Sequence, residues 1–256
     1  MNASLDTLLQ RPDIWRFGQL PSRTRASIST GFTALDQALP DRGWEQGALT
    51  EVLSNEQGIG ELSLLMPALS QVSQSGKGIV LVAPPFIPFP TAWAAHGINL
   101  QHVVMVRARE QDQLWAMEQA ARAGGCGMVI GWPANQHGLG LNYPALRRLH
   151  VAATAGGSTL ILYRHLPAAD EASPAPTRMA VSARNGYLQC RLIKRRASLL
   201  STELTLPIYP AHWARRRNEI SETERANSNL ITARQDTFTL LPFSGTPASL
   251  QRHALR

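Results

Sequence analysis

The stretch Glu51–Leu69, EVLSNEQGIGELSLLMPAL, joins an apolar strand, a turn with two glycines and an apolar helical repeat. Strand, turn and helix in this order are typical of α/β folds, since a crossover between parallel strands usually runs through a helix. Further along the chain, helical patterns alternate with the apolar runs GIVLVA, HVVMVRA, CGMVIGW and STLILY. Continuous apolar strands between helices predict an α/β fold, with a mostly parallel sheet covered by helices on both faces.

The composition excludes several classes of protein. The chain has 256 residues, of which 44% are hydrophobic and 17% are charged, as in a soluble globular protein. We find no apolar run long enough to span a membrane. The N-terminal residues lack the basic and apolar regions of a secretion signal, so we expect a cytoplasmic protein. Cys126 and Cys190 lie in apolar, strand-like surroundings, which predicts buried thiols. Neither belongs to a His/Cys cluster with metal-ligand spacing, so we expect no metal.

The positive charge is concentrated at the C-terminal end of the sequence. The whole chain has a formal net charge of +7, and the residues from Arg191 onward contribute eleven Arg/Lys against five acids, or +6 of that total. The preceding residues are therefore close to neutral. Arg215, Arg216 and Arg217 form the densest basic run of the tail, a candidate contact for DNA phosphates or for an acidic partner.

Three segments are predicted along the chain. Residues 1–29 form an N-terminal helix and a linker, residues 30–210 form the core, and residues 211–256 form a basic, disordered tail. The core ends in an antiparallel hairpin, because TRMAVSA and YLQCRLIK are joined by an Asn-Gly turn. The helix that follows the opening turn is predicted to extend to Gly76, with a kink at Pro67.

The opening turn resembles a phosphate-binding loop but departs from its pattern, G-x-x-x-x-G-K-[ST]. Ser54 stands for the first glycine, and Gly60 follows it one residue too late, with Gly58 between them. Glu61 replaces the lysine and Leu62 replaces the hydroxyl residue. A carboxylate about 4 Å from a phosphate charge would repel it by roughly 4 kcal/mol at an effective dielectric constant of 20. We therefore predict that this degenerate loop binds no ATP and that the protein has no cofactor.

Five stretches between about Thr30 and Leu166 resemble a known family in their order and spacing. They are LTEVL, ELSLLMPAL, TAWAAHGINL, ARAGGCGMVIGWPA and AGGSTLILYRHLP. Together with STGFTALDQALPDRGWEQG they are similar to the SulA/ImuA group of SOS-response proteins, within the RecA-type superfamily. SulA-like division inhibitors end soon after the equivalent of LILYRHLP. The longer C-terminal part of this chain, and LLQRPDIWRFGQL before the core, resemble the ImuA family instead.

This resemblance implies a RecA-like core and an accessory role in SOS-induced translesion DNA synthesis. The implied partners are an ImuB-type protein and an error-prone DnaE-type polymerase, with RecA and DNA as further candidates. A SulA-like division inhibitor that binds FtsZ is the alternative. The family's contact region implies a candidate partner surface at Lys77, Val82 and Trp93. Trp132, at the end of a predicted strand, is a further candidate.

The resemblance also predicts which catalytic groups an ATPase of this type would need. A RecA-type ATPase has a glutamate just after the strand that follows the loop helix, where this chain has Ala83, Pro84 and Pro85. It has an aspartate at the end of the Walker B strand, where this chain has Gly131 and Trp132. Lysine, hydroxyl, glutamate and aspartate are all replaced, and phosphoryl transfer depends on such groups. We therefore predict that the protein is not an enzyme.

Overall fold

The computed structural model describes residues 26–133, 141–195, 202–208 and 239–242. Five α-helices lie in these ranges: α1 (Thr33–Ala38), α2 (Met66–Gln74), α3 (Pro90–Ala95), α4 (Glu110–Arg122) and α5 (Tyr143–Gly156). The strands are β1 (Ser27–Ile28), β2 (Trp44–Glu45), β3 (Ala48–Ser54), β4 (Gly78–Val82), β5 (Val103–Arg107), β6 (Cys126–Gly131), β7 (Thr159–His165), β8 (Thr177–Arg184), β9 (Tyr187–Lys194), β10 (Thr202–Pro207) and β11 (Thr239–Pro242). Short 3₁₀ helices span Glu61–Leu64, Leu100–His102 and Leu166–Asp170.

One nine-stranded sheet organises the described residues. Its strand order is β10-β9-β8-β3-β7-β6-β4-β5-β11. Every neighbouring pair from β8 to β11 is parallel, whereas β9 is antiparallel to both β8 and β10. The expected mostly parallel α/β sheet with a C-terminal antiparallel hairpin is confirmed. Because the parallel strands run the same way, the loops after β3, β4, β6 and β7 leave from one edge, where ligands of open α/β sheets bind.

The helices lie on both faces of this sheet, as the apolar strands predict. On one face, α1, α2 and α3 pack through residues such as Leu35, Leu69 and Trp93. On the other face, α4 and α5 pack through residues such as Met117 and Leu149. The central strands β3, β4, β6 and β7 therefore contribute side chains to two apolar layers, which is why their sequences are mostly apolar rather than alternating. Among the described helices, none is long and apolar enough to cross a membrane.

Local sequence explains how two of the elements begin and end. In α5, the Asn142 side chain accepts a hydrogen bond from the Ala145 N–H at 3.0 Å, and Gly157 ends the helix with a φ of +70°, a conformation that favours glycine. The helix after the opening turn differs from the prediction. A separate 3₁₀ turn covers Glu61–Leu64, and Pro67 lies in the first turn of α2, where no backbone N–H is required. Pro67 therefore does not kink the helix.

The C-terminal elements confirm one expectation and correct another. The β8–β9 turn has positive φ at Asn185 and Gly186, as an Asn-Gly hairpin requires. Within the predicted disordered tail, however, Thr239–Pro242 form β11, which pairs with β5. The prediction is therefore wrong at these four residues. Similarly, Ser27–Ile28 in the predicted linker form β1, which pairs with β2. Most of both terminal segments lies outside the described residues.

Candidate functional site

The loop after β3 closes on a carboxylate of its own. Gly58 and Gly60 both have positive φ, and Glu61 begins the following 3₁₀ turn with its side chain buried. The Gly58 N–H donates to Glu61 Oε1 at an N···O distance of 3.3 Å. In a phosphate-binding loop, backbone N–H groups of this kind point at the phosphate. Here an internal anion takes one of these donors, so the loop is a folded turn rather than an open anion cradle.

The last described residue of the hairpin region covers the same loop from the other side. A Cβ added at Gly60 would lie 3.0 Å from Cγ2 of Ile208, which directly follows β10. The distance is tighter than ordinary van der Waals contact, so a larger residue at this position would collide with the end of β10. Gly60 therefore meets two local requirements, a left-handed backbone conformation and close packing.

Two stacked aromatic rings fill the ends of β6 and β7. The ring centroids of Trp132 and Tyr163 are 5.2 Å apart, with an angle of 5° between the ring planes. The Tyr163 hydroxyl donates to the backbone carbonyl of Glu61 at 3.2 Å, which fastens the rings to the closed loop. Burial, followed by the nearby Glu61 charge, raises the pKa of Tyr163 well above its usual value. The phenol is therefore a neutral structural group at physiological pH.

A cavity of about 240 Å³ remains between the loop after β3, the segment after β4 and the aromatic pair. Its lining includes Glu56, Glu61, Pro85, Gln113 and His165. Typical small-molecule pockets have volumes of roughly 300–1,000 Å³ and carry a few convergent polar groups. This cavity is smaller than that range, and two carboxylates lie on its loop side. Arg164 and His165 belong to the same lining, so the charge of the cavity is mixed, and its volume is below that of a pocket for a nucleoside triphosphate.

Packing and backbone conformation also constrain the two positions at which the resemblance predicts missing acids. A Cβ added at Gly131 would lie 2.4 Å from the sulfur of Met117, because α4 presses directly on the end of β6. The equivalent position after β4 is Ala83, which has a φ of +50° and is followed by two prolines. No carboxylate is borne at Ala83, Pro84, Pro85, Gly131 or Trp132. Where α4 packs on Gly131, an aspartate could be accommodated only if Met117 moved.

A buried charged cluster beside the loop was not predicted. Glu51 is fully buried in the middle of β3 and pairs with Arg178 (Nε–Oε2, 2.6 Å) and Arg164 (Nη1–Oε1, 3.1 Å). Ser173 also donates to Glu51 Oε1, at 3.1 Å. Arg164 pairs in addition with Glu171 at 2.6 Å. Every charge of this cluster is neutralised within it, as burial requires. The sequence feature that could have indicated this cluster is Glu51, the single acid inside the apolar strand LTEVL.

Arg178 links this cluster to the 3₁₀ turn that follows β7. Besides Glu51, its guanidinium donates to the backbone carbonyls of Ala168, Ala169 and Glu171. Lys194 on β9 donates to the carbonyl of Ser173 at 2.8 Å. Burial, together with the positive charge of Arg178, lowers the pKa of Lys194. These contacts connect β3, β7, β8 and β9.

Burial corrects three residues of the expected partner surface. Val82 is fully buried, Trp93 is 3% exposed and Trp132 is 7% exposed, so these three side chains form the interior rather than a surface. β4 is moreover an internal strand, between β6 and β5, and not a sheet edge. Lys77 is exposed but lies at the opposite end of β4 from the loops described above. Arg215, Arg216 and Arg217 lie outside the described residues.

The most exposed large apolar side chains of the described residues lie in a different place, in the loop that joins β4 to α3. Phe86, Ile87 and Phe89 are 64%, 62% and 71% exposed. We call Pro84–Phe89 the apolar loop. The sequence signal was the run PPFIPFP, which precedes the helix that carries Trp93.

The comparisons with known proteins identify no family. The chain matches no protein-family model, and no curated protein matches it. The resemblance to the SulA/ImuA group therefore depends on the sequence patterns alone.

Proposed function

We propose that the protein is a non-catalytic accessory of SOS-induced translesion DNA synthesis, which binds an ImuB-type protein. The observation that carries the proposal is the closed loop after β3. Its strand–loop–helix order is that of a nucleotide-binding core, but Glu61 accepts the Gly58 N–H inside the loop. A core of this kind suits a protein that works by holding partners.

The packing around the loop supports the absence of ATPase activity. Restoring a lysine at Glu61 would not be sufficient, since Ile208 packs on Gly60 and Met117 occupies the space beside Gly131. The Trp132–Tyr163 stack further fills the edge of the sheet where a nucleotide base and phosphates would lie. Several independent contacts thus oppose nucleotide binding, which supports a scaffold role over a variant enzyme.

The partners follow from the sequence resemblance and from the charge distribution. The proposed complex contains an ImuB-type protein and an error-prone DnaE-type polymerase, and it works in the cytoplasm. Most of the net positive charge lies in the C-terminal segment. Arg215, Arg216 and Arg217 would add a salt-sensitive contact, either to an acidic face of a partner or to DNA. RecA is a further candidate partner.

Equilibrium binding of labelled ATP with Mg²⁺ tests the non-catalytic half of the proposal. We expect no saturation below millimolar ATP, because a carboxylate replaces the lysine beside the phosphates. A micromolar dissociation constant that is lost in Gly60→Asp would overturn this half. Gly60→Asp is the informative control, since it obstructs the loop and adds a carboxylate to it; because Ile208 packs on Gly60, its urea midpoint is measured beside that of the wild type.

Interferometry with a purified ImuB-type protein tests the other half. We expect the full chain to bind, and the triple variant of Arg215, Arg216 and Arg217 to Ala to bind more weakly at low salt. Point variants are preferable to truncation, because Thr239–Pro242 pair with β5 and a deletion would remove that strand. Capture of FtsZ without any binding of the ImuB-type protein would replace this proposal with the division-inhibitor function.

A further inference from the structure

The Glu61 side chain is a buried carboxylate whose charge no described residue neutralises. Glu61 is 7% exposed, and its Oε1 accepts the Gly58 N–H at an N···O distance of 3.3 Å, longer than most hydrogen bonds of this kind. In the described ranges, no Lys, Arg or His pairs with this carboxylate, and no donor serves its Oε2. Burial of an unpaired charge is costly, so a cation bound beside Glu61 would be favourable.

Glu51, in the strand that leads into the same loop, shows how this fold treats a buried carboxylate with a structural role. Arg178 and Arg164 pair with it at 2.6 and 3.1 Å, and the Ser173 hydroxyl donates to it at 3.1 Å. Glu61 receives one backbone N–H instead. The contrast indicates that Glu61 keeps an oxygen available for a ligand.

The cavity of about 240 Å³ lies in front of this carboxylate, since Glu61 belongs to its lining. The stacked rings of Trp132 and Tyr163 belong to the same lining, and the face of an aromatic ring attracts cations. Pro85 and Pro133 add apolar surface for an alkyl chain. The cavity thus combines a free carboxylate oxygen with aromatic and apolar surface, as the binding of an organic cation requires.

The positive residues of the lining do not cancel the charge of Glu61. Arg164 donates through Nη1 to Glu51 and through Nη2 to Glu171, so two other carboxylates engage its guanidinium. His165 forms no ion pair with Glu61 among the residues that the structure describes. Glu56 places a second carboxylate on the loop side of the cavity.

The lining also indicates which class of cation fits. The described part of the chain holds no group of three His, Cys, Asp or Glu side chains that could bind a metal ion. An ammonium or guanidinium group needs fewer ligands, because one carboxylate and an aromatic face can hold it. The cavity is smaller than the roughly 300 Å³ at which pockets for larger ligands begin, so it has room for one short alkyl chain and its charged end.

We propose that this cavity binds a small organic cation, an alkyl ammonium or alkyl guanidinium group, and that Glu61 is its counter-ion. Two sources carry this chemistry, a free small molecule and the Lys or Arg side chain of another protein. The site does not depend on the ImuB-type partner, so it goes beyond the proposed function and can fail separately from it.

The test titrates the full chain at pH 8, where histidine is ordinarily neutral, and follows the indole N–H signal of Trp132 by nuclear magnetic resonance. Trp132→Phe identifies that signal. The probes are butylammonium, butylguanidinium and butylurea, which is a neutral match for butylguanidinium in size. The acetylated and amidated peptide Gly-Gly-Arg-Gly-Gly, with a counterpart that carries norleucine, represents the side chain of another protein.

Two matched variants test the counter-ion. Glu61→Gln removes the charge and keeps the size of the side chain, and Glu110→Gln makes the same change at an exposed position on α4. We expect the charged probes to saturate at roughly millimolar concentration or below and to bind at least about 10-fold more weakly to Glu61→Gln, with Glu110→Gln unchanged. Equal binding by Glu61→Gln, or equal weakening by both variants, would overturn the site.

Butylurea provides a test that uses the wild type alone and holds even if Glu61→Gln does not fold. We expect it to bind at least about 10-fold more weakly than butylguanidinium. Equal binding of the two would show that the cavity does not select a charge and would overturn the proposal.

The peptide separates the two sources. Tighter binding of the arginine peptide than of butylguanidinium, with the norleucine peptide inactive, would assign the site to a side chain of another protein. Binding of the free cations that equals or exceeds that of the peptide would assign it to a small molecule. If neither the free cations nor the arginine peptide saturate the signal, the site is overturned, and the proposed function is unaffected.

Discussion

Two regions at the same edge of the sheet differ in which side chains they bury and which they expose. The closed side, formed by Glu51, Glu61, Tyr163, Arg164 and Arg178, buries its polar groups and pairs them with one another, except for Oε2 of Glu61. The open side, the apolar loop after β4, leaves three large apolar side chains in water. Burial of polar groups without partners is costly, and on the closed side these groups are paired with one another, so this side needs no further partner for stability. The open side leaves apolar surface in contact with water, and the burial of such surface against a partner would be favourable.

The comparison predicts that substitutions on the closed side destabilise the fold, whereas those on the open side change its stability little. The largest effect is expected for Arg178→Met, which leaves Glu51 with a single charged partner and removes the donor to the Ala169 and Glu171 carbonyls. Breaking a buried ion pair costs about 3–5 kcal/mol. Urea unfolding at neutral pH measures this loss.

Arg109→Met provides the matched control, because Arg109 pairs with Asp112 at 2.9 Å on the surface of the protein. An exposed pair of this kind contributes about 0–1 kcal/mol. A loss below about 1 kcal/mol for Arg178→Met as well would mean that the buried cluster does not hold the closed side together.

A somewhat smaller effect is expected for Trp132→Ala, which removes one ring of the stack and leaves a cavity beside Tyr163. Removal of a buried aromatic side chain costs about 3–5 kcal/mol, and Trp132 is expected at the lower end of this range because part of it remains exposed. Trp132→Phe keeps an aromatic ring and should lose considerably less. If the two substitutions were equally costly, the ring stack would not be the source of the stability.

Tyr163→Phe should cost about 1 kcal/mol at neutral pH, since it removes the hydrogen bond to the Glu61 carbonyl. At high pH the difference should reverse. The pKa of Tyr163 is raised in the folded protein, so above pH 10 the unfolded phenol ionises first and the wild type loses stability. Urea unfolding of both proteins on either side of pH 10 measures this. The idea fails if their stability difference is independent of pH.

The smallest effect is expected on the open side. Ile87→Ser with Phe89→Ser should change the free energy of unfolding by no more than about 0.5 kcal/mol, because both side chains are mostly exposed. The urea midpoints of this variant and of Arg178→Met, measured side by side, compare the stability loss on the open side with that on the closed side. A large loss of stability would show that the apolar loop belongs to the core.

The order of strands and helices could be read from the sequence, since two-sided burial gives continuous apolar strands and helices show their own periodicity. The Asn-Gly hairpin is confirmed because its turn chemistry is local. The partners of Glu51 could not be read, since Arg164 and Arg178 are 113 and 127 residues away along the chain. Only the folded sheet brings these strands together.

The candidate surface was the least predictable part. Trp93 was expected near a surface because aromatic residues are frequent in interfaces, yet the sequence does not show which way a residue of a short helix points. Its helix packs on the sheet, so Trp93 is buried and the preceding loop is exposed. The site residues that depend on partners, including Arg215 to Arg217, stay predictions.

The pairing of β11 with β5 has a consequence for the nascent chain during translation. Thr239 lies opposite Val104, so about 135 residues must still be translated after the edge of β5 is made. At about 5–20 residues per second, that edge lacks its neighbour for on the order of ten seconds. Unpaired strand edges are where chains associate wrongly. Nascent chains stalled before Thr239 should therefore recruit holdase chaperones more strongly than chains released at full length. Co-sedimentation of the chaperones with ribosomes measures this difference. Equal recruitment would show that the β5 edge needs no cover during synthesis.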